Sequence, residues 1–579
     1  MSRLGHVFIP GGDGAGAGRF TVLLDPDEPL AERLEIGAPV VAETREGHYV
    51  GVVDNMRVVG YHPNPFAANL EHVGSTDHPL PDLRQELVLA DAQVFGGAKA
   101  RPVRAGEVRA AEERHVQEAT GWFKTELPVP VGTIRGVDGR RYPVGLDWES
   151  LLGPEAAHLM VGGLSGQASK TSFLCVLLRS VFATAERERK TVGALLFNVK
   201  GPDFLGLDRP ATEHKQPGPD DLDMYRALGV PAEPFPRVHI YAPYAEGCRT
   251  TSRRGDARAV RWTIMELWPY LPFMWESLEK DDLALTFAAQ VQEQLFQRPQ
   301  DPIRSYRRLL QWMEEEIEQA VEHRKTECWD GRVHIQTMRR MRRALRGVKD
   351  LCGDLLYEEE AADHGSDIPV TGWQAGDVHV ADITGLPPVV QSVVIARTLE
   401  RLREAKEHDQ VGVDHVVVLA DELNMYAPAG GGRYGPAQDV FRRIATQGRY
   451  AGITLWGAAQ KLSKIDDLIR DNAATRAIGT TPEAELASGV YGRLSNGMVE
   501  RIASLQRGEI AIWHPLYRSV LIVQFPRPAW DAGLHSILAP RGRVRNARRR
   551  YQAPAGPEEP RVPAGVRPLA GSEHVPTAD

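Results

Sequence analysis

Cysteine is scarce in this chain of 579 residues: Cys175, Cys248, Cys328 and Cys352 lie far apart, with no Cys-x-x-Cys spacing. Neither a disulfide framework nor a cysteine-ligated zinc site is indicated. Long apolar runs are missing too. No stretch is long enough to cross a bilayer, and MSRLGHVFIPGG at the start has no apolar h-region. A cytoplasmic protein without membrane insertion is therefore expected. An excess of positive charge is also absent, since 69 Lys and Arg face 77 Asp and Glu for a net charge of -8. That excludes a surface coated in basic residues, so nucleic acid, if bound, must be met by a local patch or channel. What is left is an ordinary globular composition, and the length suggests about three domains.

The most informative stretch is AAHLMVGGLSGQASKTSFLCVLLRSVF, residues 156–182. A short apolar strand meets a glycine-bearing turn, then Lys-Thr, then an amphipathic helix with Leu174, Leu177, Leu178 and Val181 on one face. This is the layout of a phosphate-binding P-loop. Gly163, Ser165, Gly166, Gln167, Ala168, Ser169, Lys170, Thr171 and Ser172 are the residues expected to cradle a nucleotide. Lys170 would reach the β- and γ-phosphates and the Thr171 hydroxyl would hold Mg²⁺. The usual pattern has glycine directly before the lysine and again six before it; here Ser169 and Leu164 stand there. An ordinary strand-to-helix turn is the alternative reading.

A second motif supplies acid. VDHVVVLADELNMYAP (413–428) is a Val- and Leu-rich strand closing in Asp421-Glu422. In a P-loop sheet such an aspartate orders water around Mg²⁺ and the glutamate polarises the attacking water. A strand end with solvated acids is the bland alternative, but two motifs in the right order reinforce each other. A further strand, ending at Gln460, offers an amide to sense the γ-phosphate. Arg443, Arg449 and Arg476 are candidates for a cation acting from a neighbouring subunit, with a structural ion pair the alternative for each. Arg433, in the glycine-rich segment 427–438, and Lys461 and Lys464 are candidate DNA contacts, or else surface-loop residues.

The segments divide as follows. Residues 1–110 carry short Val-rich strands and are expected to form a small β-barrel for assembly or effector docking. A linker covers 111–155. Alternating strands and helices over 156–255 and 357–525 predict an α/β core with a parallel sheet. Between them, 256–356 lacks strand signals and is expected to be an all-helical insertion. Within it Met338, Met341, Leu345 and Val348 line one face of a helix whose arginines form a solvated face that could pair with the acidic 313–322, a DNA or partner contact being the alternative. The remainder, 526–579, is an extended tail rich in Pro and Arg.

Taken together, GGLSGQASKTS, FNVKGPDFLGLD, LADELNMYAP, QGRYAGITLWGAAQ, DNAATRAIG and LQRGEIAIWH resemble the bacterial HerA-type ATPases, in the group of ring-shaped DNA translocases that includes FtsK. The resemblance implies RecA-like cores, six to a ring around duplex DNA, with ATP and Mg²⁺ between subunits. It also implies a nuclease or other effector, such as an NAD-consuming enzyme, docked on the barrel. By position it makes Lys170 and Thr171 the P-loop pair, Asp421 and Glu422 the acidic motif, Gln460 the sensor and Arg449 the family's Gly-Arg arginine. Gly479-Thr480 stands where many relatives have Gly-Arg, which leaves Arg476 as the other candidate. The expected function is an ATP-driven translocase or helicase in DNA end processing or anti-phage defence. An ATP-binding ring scaffold that regulates an effector, and a pump serving conjugation or secretion, are the alternatives.

Overall fold

The computed structural model describes residues 3–9, 18–61, 85–97, 101–154, 157–164, 169–278, 283–297, 303–359, 366–430, 435–492 and 494–533. Near the start, β1 (Arg3–Phe8), β2 (Arg19–Leu24), β3 (Pro39–Thr44), β4 (Gly47–Tyr61), β5 (Gln85–Gly97) and β6 (Gly106–Ala110) close into an antiparallel barrel in the order β1-β2-β5-β4-β3-β6. Closure removes both sheet edges, and alternate residues such as Val22, Val40, Val53, Ala90 and Val108 fill the interior. The small barrel expected from the Val-rich segments is thus present. It is fastened to the rest of the chain at Asp54, which is fully buried, bonds Arg19 and accepts a 3.1 Å hydrogen bond from Ser495 Oγ.

The main sheet has thirteen strands among the described residues. After a helix at Glu113–Ala119 come β7 (Pro128–Arg135), β8 (Arg141–Asp147), β9 (Leu159–Gly162), β10 (Val192–Asn198), β11 (Val238–Ala245), β12 (Arg249–Thr250) and β13 (Arg258–Val260). A small separate hairpin, β14 (Glu327–Cys328) and β15 (Val333–His334), precedes β16 (Val378–Asp382), β17 (His415–Ala420), β18 (Ile453–Ala458), β19 (Thr475–Ile478), β20 (Glu509–Trp513) and β21 (Leu521–Gln524). The order is β12-β11-β16-β10-β17-β18-β9-β19-β20-β21-β7-β8, with β13 beside β11. From β11 through to β19 the pairings are parallel; from β19 to β8 they are antiparallel.

Parallel strands need both faces covered, and the sequence supplies it. On β10, Leu195 and Phe197 face one core while Ala194 and Leu196 face the other. The helix Ser169–Arg187 buries Phe173, Leu174, Leu177, Leu178 and Val181 on the second face; the helix Pro388–Glu407 buries Val390, Val393, Val394 and Leu399 on the first. One strand, β18, separates β17, which leads into Asp421-Glu422, from β9, which leads into Gly163 and Lys170.

Two expectations need correction. Residues 128–147 are no part of a linker: β7 and β8 form a hairpin, and Gln524 on β21 pairs with Thr133 on β7, so the sheet continues into it. Pro128, Pro130 and Pro143 are tolerated in these strands because they lie near the end of the sheet, where fewer backbone N–H groups are needed. The segment 256–356 is mainly rather than wholly helical. Its helices include Leu271–Leu278, Tyr306–Glu322 and Ile335–Cys352, but β13 joins the main sheet and β14-β15 caps a helix pair. Met338, Met341, Leu345 and Val348 are buried as their spacing predicts, and Arg342 Nη1 lies 2.5 Å from Glu314 Oε1. Among the described residues, no helix is long and apolar enough to cross a membrane.

Candidate nucleotide site

The strands β9, β10, β17 and β18 run parallel and end nearly level, with Ala420 opposite both Phe197 and Gly457, and Ala458 opposite Val161. Residues just past their carboxyl ends therefore converge, the place where open α/β sheets bind ligands. At the end of β9, Gly163 takes φ +133°, and a Cβ there would lie 3.2 Å from Gly479 Cα. Glycine is required for that close approach. The backbone is held by Gly163 N donating to Gln460 O (3.3 Å), Leu164 N to Thr480 O (2.9 Å) and Gly479 N to Gly162 O (3.0 Å). Ser165, Gly166, Gln167 and Ala168 lie outside the described residues, as does the side chain of Ser169.

Beyond the turn, Lys170 sits in the first turn of the helix Ser169–Arg187, 7% exposed, and its Nζ donates to Gly163 O at 3.0 Å. Burial lowers its pKa, and the charges of Asp421 and Glu422 oppose that shift. Asp421 follows β17 and is also buried; desolvation raises its pKa while Lys170 pulls it down. Next to it, Glu422 adopts a left-handed backbone, φ 50° and ψ 41°, with its N–H donating to Asp421 Oδ1 at 2.9 Å. A non-glycine residue held there stores strain, as functional sites often do. Glu422 Oε1 lies 3.5 Å from Lys200 Nζ and accepts from Gln460 Nε2 at 3.4 Å.

So the structure brings Lys170, Thr171, Asp421, Glu422 and Gln460 together, with all but Gln460 lining one cleft of about 1200 Å³. The donors suit a Mg²⁺–triphosphate. A buried ammonium needs an anion, two adjacent carboxylates need a cation, and the Thr171 hydroxyl stands at a helix N-terminus.

Two further residues lining the cleft escaped the sequence reading. Lys200 and Asp203 follow β10 in NVKGPD, and a polar run after a wholly buried strand was the available signal. Burial, with the Asp421 charge second, pushes Asp203 up to about 6. Behind them, Asn198 Nδ2 donates to Asp382 Oδ1 (3.0 Å) and to Gly201 O (2.9 Å), fixing the loop.

The arginine candidates lie elsewhere. Arg449 belongs to the turn Gly448–Ala451 before β18, whereas Gln460 follows that strand; six strand residues span about 20 Å. Its charge acts on His158 at the start of β9, so within one chain Arg449 is remote from Lys170. Arg476, on β19, donates to Val490 O at 2.9 Å and pairs with Asp471 at 3.5 Å. Arg443 pairs with Glu400 at 2.7 Å. Lys461 and Lys464 are exposed just past Gln460, and Arg433 lies outside the described residues.

No family model matches the chain, and no curated protein matches it. Solved structures similar to it include the bacterial conjugative coupling protein TrwBΔN70 in its unbound form (13% identity, 66% of this chain and 86% of that chain covered, TM-score 0.40). VirB4 of Thermoanaerobacter pseudethanolicus is similar at 14% identity, covering 69% and 96% (TM-score 0.37). The genome packaging NTPase B204 of Sulfolobus turreted icosahedral virus 2, in complex with ATP-gammaS, is similar at 14% identity over 26% and 68% (TM-score 0.21).

Proposed function

We propose that this protein is a Mg²⁺-dependent ATPase of the FtsK–HerA type that works in the cytoplasm as a hexameric ring, translocating on duplex DNA. The observation that carries the reading is the meeting of Lys170, Asp421, Glu422 and Gln460 at one end of the sheet. Lys170 Nζ would meet phosphate oxygens, while Thr171 and Asp421 would hold Mg²⁺. When bound, that ion neutralises charge on the transferred phosphoryl group. A Glu422 carboxylate oxygen accepts the proton of the attacking water, and Gln460, already bonded to Glu422, reads whether the γ-phosphate is present.

Placed between subunits, such a site turns loss of the γ-phosphate into a change of contacts. Arg449 or Arg476 then serves a neighbouring copy's site rather than its own. Exposed Lys461 and Lys464, joined to the Gln460 turn, would move against DNA phosphates without reading bases. The barrel is the docking platform for a nuclease or NAD-consuming effector in end processing or defence. A second reading, an ATP-binding ring scaffold that regulates its effector, is favoured by Ser169 in place of the usual glycine before Lys170. A conjugation or secretion pump would use the same motor.

Phosphate release measured with and without linear duplex DNA, beside imaging with a non-hydrolysable ATP analogue, tests these readings. Rings with DNA-stimulated turnover support the translocase. Turnover indifferent to DNA, with an effector active only on the ring, supports the scaffold. A purified protein that neither binds nor cleaves ATP would end all three.

A further inference from the structure

At the opposite end of the sheet from the nucleotide cleft, two histidines and an aspartate share one face. His239 on β11 and His379 on β16 are directly paired in the parallel register, so their side chains project side by side. Asp377 stands two residues before His379 and therefore points the same way. Donor atoms of the three all lie within 4.8 Å of one another, the one cluster of its kind among the described residues. We infer that His239, Asp377 and His379 form a binding site for a divalent transition metal, best matched by Zn²⁺.

Three features point to a ligand. First, His239 Nε2 and Asp377 Oδ1 are 3.4 Å apart. Two donors each about 2.1 Å from a tetrahedral zinc are also about 3.4 Å apart. Second, His379 is 4% exposed, and its Nε2 has no hydrogen-bond partner among the described residues. Its Nδ1 lies 3.3 Å from Tyr241 Oη, so a proton on Nδ1 can be donated to the hydroxyl, leaving the Nε2 lone pair bare. Buried polar atoms are seldom left so, and a metal-ligating imidazole commonly bonds a second partner through its other nitrogen. Third, the ligands are held in place. Trp373 stacks on His379 at 4.1 Å, and Asp377 Oδ2 accepts from Gln374 N at 2.7 Å.

His239 is half-buried, so the cluster can be reached from solvent. The opposing groups are cationic: Arg237 Nε lies 3.4 Å from the same Asp377 Oδ1, and Arg258 also faces His379. Zinc must displace the Arg237 contact to use that oxygen. The site would tie the outer strand β11 to β16, and its two histidine ligands lie 140 residues apart in the chain (379 minus 239).

The test uses the full chain without a histidine tag, stripped with chelator and free of nucleotide. Zn²⁺ is titrated by calorimetry, Co²⁺ by visible absorption, and bound metal is counted after gel filtration. Wild type is expected to bind one zinc per chain, with a Co²⁺ spectrum of low coordination number. H239A and D377N should weaken binding at least tenfold; D421N should not, and R237Q should bind as tightly as wild type or better. H379A removes the ring under Trp373 and could unfold the edge, so the partly exposed His239 carries the decisive comparison. Equal zinc affinity in wild type and H239A, or loss of the bound zinc in D421N, would overturn the assignment. So would a wild-type chain that retains no metal.

Discussion

Replacing Glu422 by glutamine isolates the chemical step. Glutamine has the same shape and the same Cβ, so the left-handed backbone at φ 50° is strained equally in both proteins. Its amide oxygen can still accept from Gln460 Nε2, now 3.4 Å from Glu422 Oε1. What disappears is the negative charge and the proton acceptor. The 3.5 Å contact with Lys200 is lost as an ion pair, but that lysine is 63% exposed and the pair is worth under about 1 kcal/mol. ATP affinity should therefore change by no more than about fivefold. Turnover should fall by about 10²–10⁴ if the carboxylate takes the proton of the attacking water, equivalent to about 3–5 kcal/mol of barrier. Steady-state phosphate release gives kcat, and equilibrium titration with a fluorescent ATP analogue gives Kd. A kcat within tenfold of wild type at unchanged Kd would refute the assigned role of Glu422. Collapse of binding and turnover together would instead make it a structural residue of the cleft.

Three other outcomes follow from the same geometry. Asp203 has its folded pKa raised to about 6 from an ordinary value near 3.8, so its stabilising contribution is full below pH 4 and is lost as pH rises to 6. Without nucleotide and Mg²⁺, D203N should therefore melt above wild type at pH 8, by up to about 2 kcal/mol after allowance for partial exposure, and level with it at pH 4. Gly163→Ala forces a Cβ against Gly479 at φ +133°, and should cost about 1–3 kcal/mol in denaturant melts while weakening ATP binding, because Lys170 is anchored to the same residue. Lys461→Ala with Lys464→Ala should reduce the slope of log affinity for duplex DNA against log salt by about 2 and leave DNA-free turnover unchanged; an unaltered slope removes both from the DNA contact.

Much of this site was readable in order along the chain. The Leu and Val spacing after Lys170 announced a helix on a sheet, and the unbroken apolar run before Asp421 announced a buried strand; both are found. Local patterns reach about that far. Asp203 was invisible because its chemistry comes from burial beside Asp421, more than two hundred residues away (421 minus 203). The hairpin at 128–147 was obscured because proline speaks against strands in general, whereas its effect depends on position in the sheet. Arg449, offered as a cation for a neighbouring subunit, precedes the strand that ends before Gln460, so the two lie at opposite ends of β18 as their order along the chain implies. His239 and His379 became partners through strand pairing, which no spacing along the chain encodes.

The pairing of β21 with β7 bears on how the domain that carries the candidate nucleotide cleft could be isolated. A fragment trimmed to begin at residue 156, the apparent start of the ATPase, would strip away β7 and β8 and leave β21 as a raw sheet edge. It would also uncover part of the apolar shell around Phe173 and Leu174, which share a cluster with Val129, Val131 and Val144. Such a fragment should aggregate, whereas one beginning near residue 111 and retaining the strands through 524 keeps that boundary sealed.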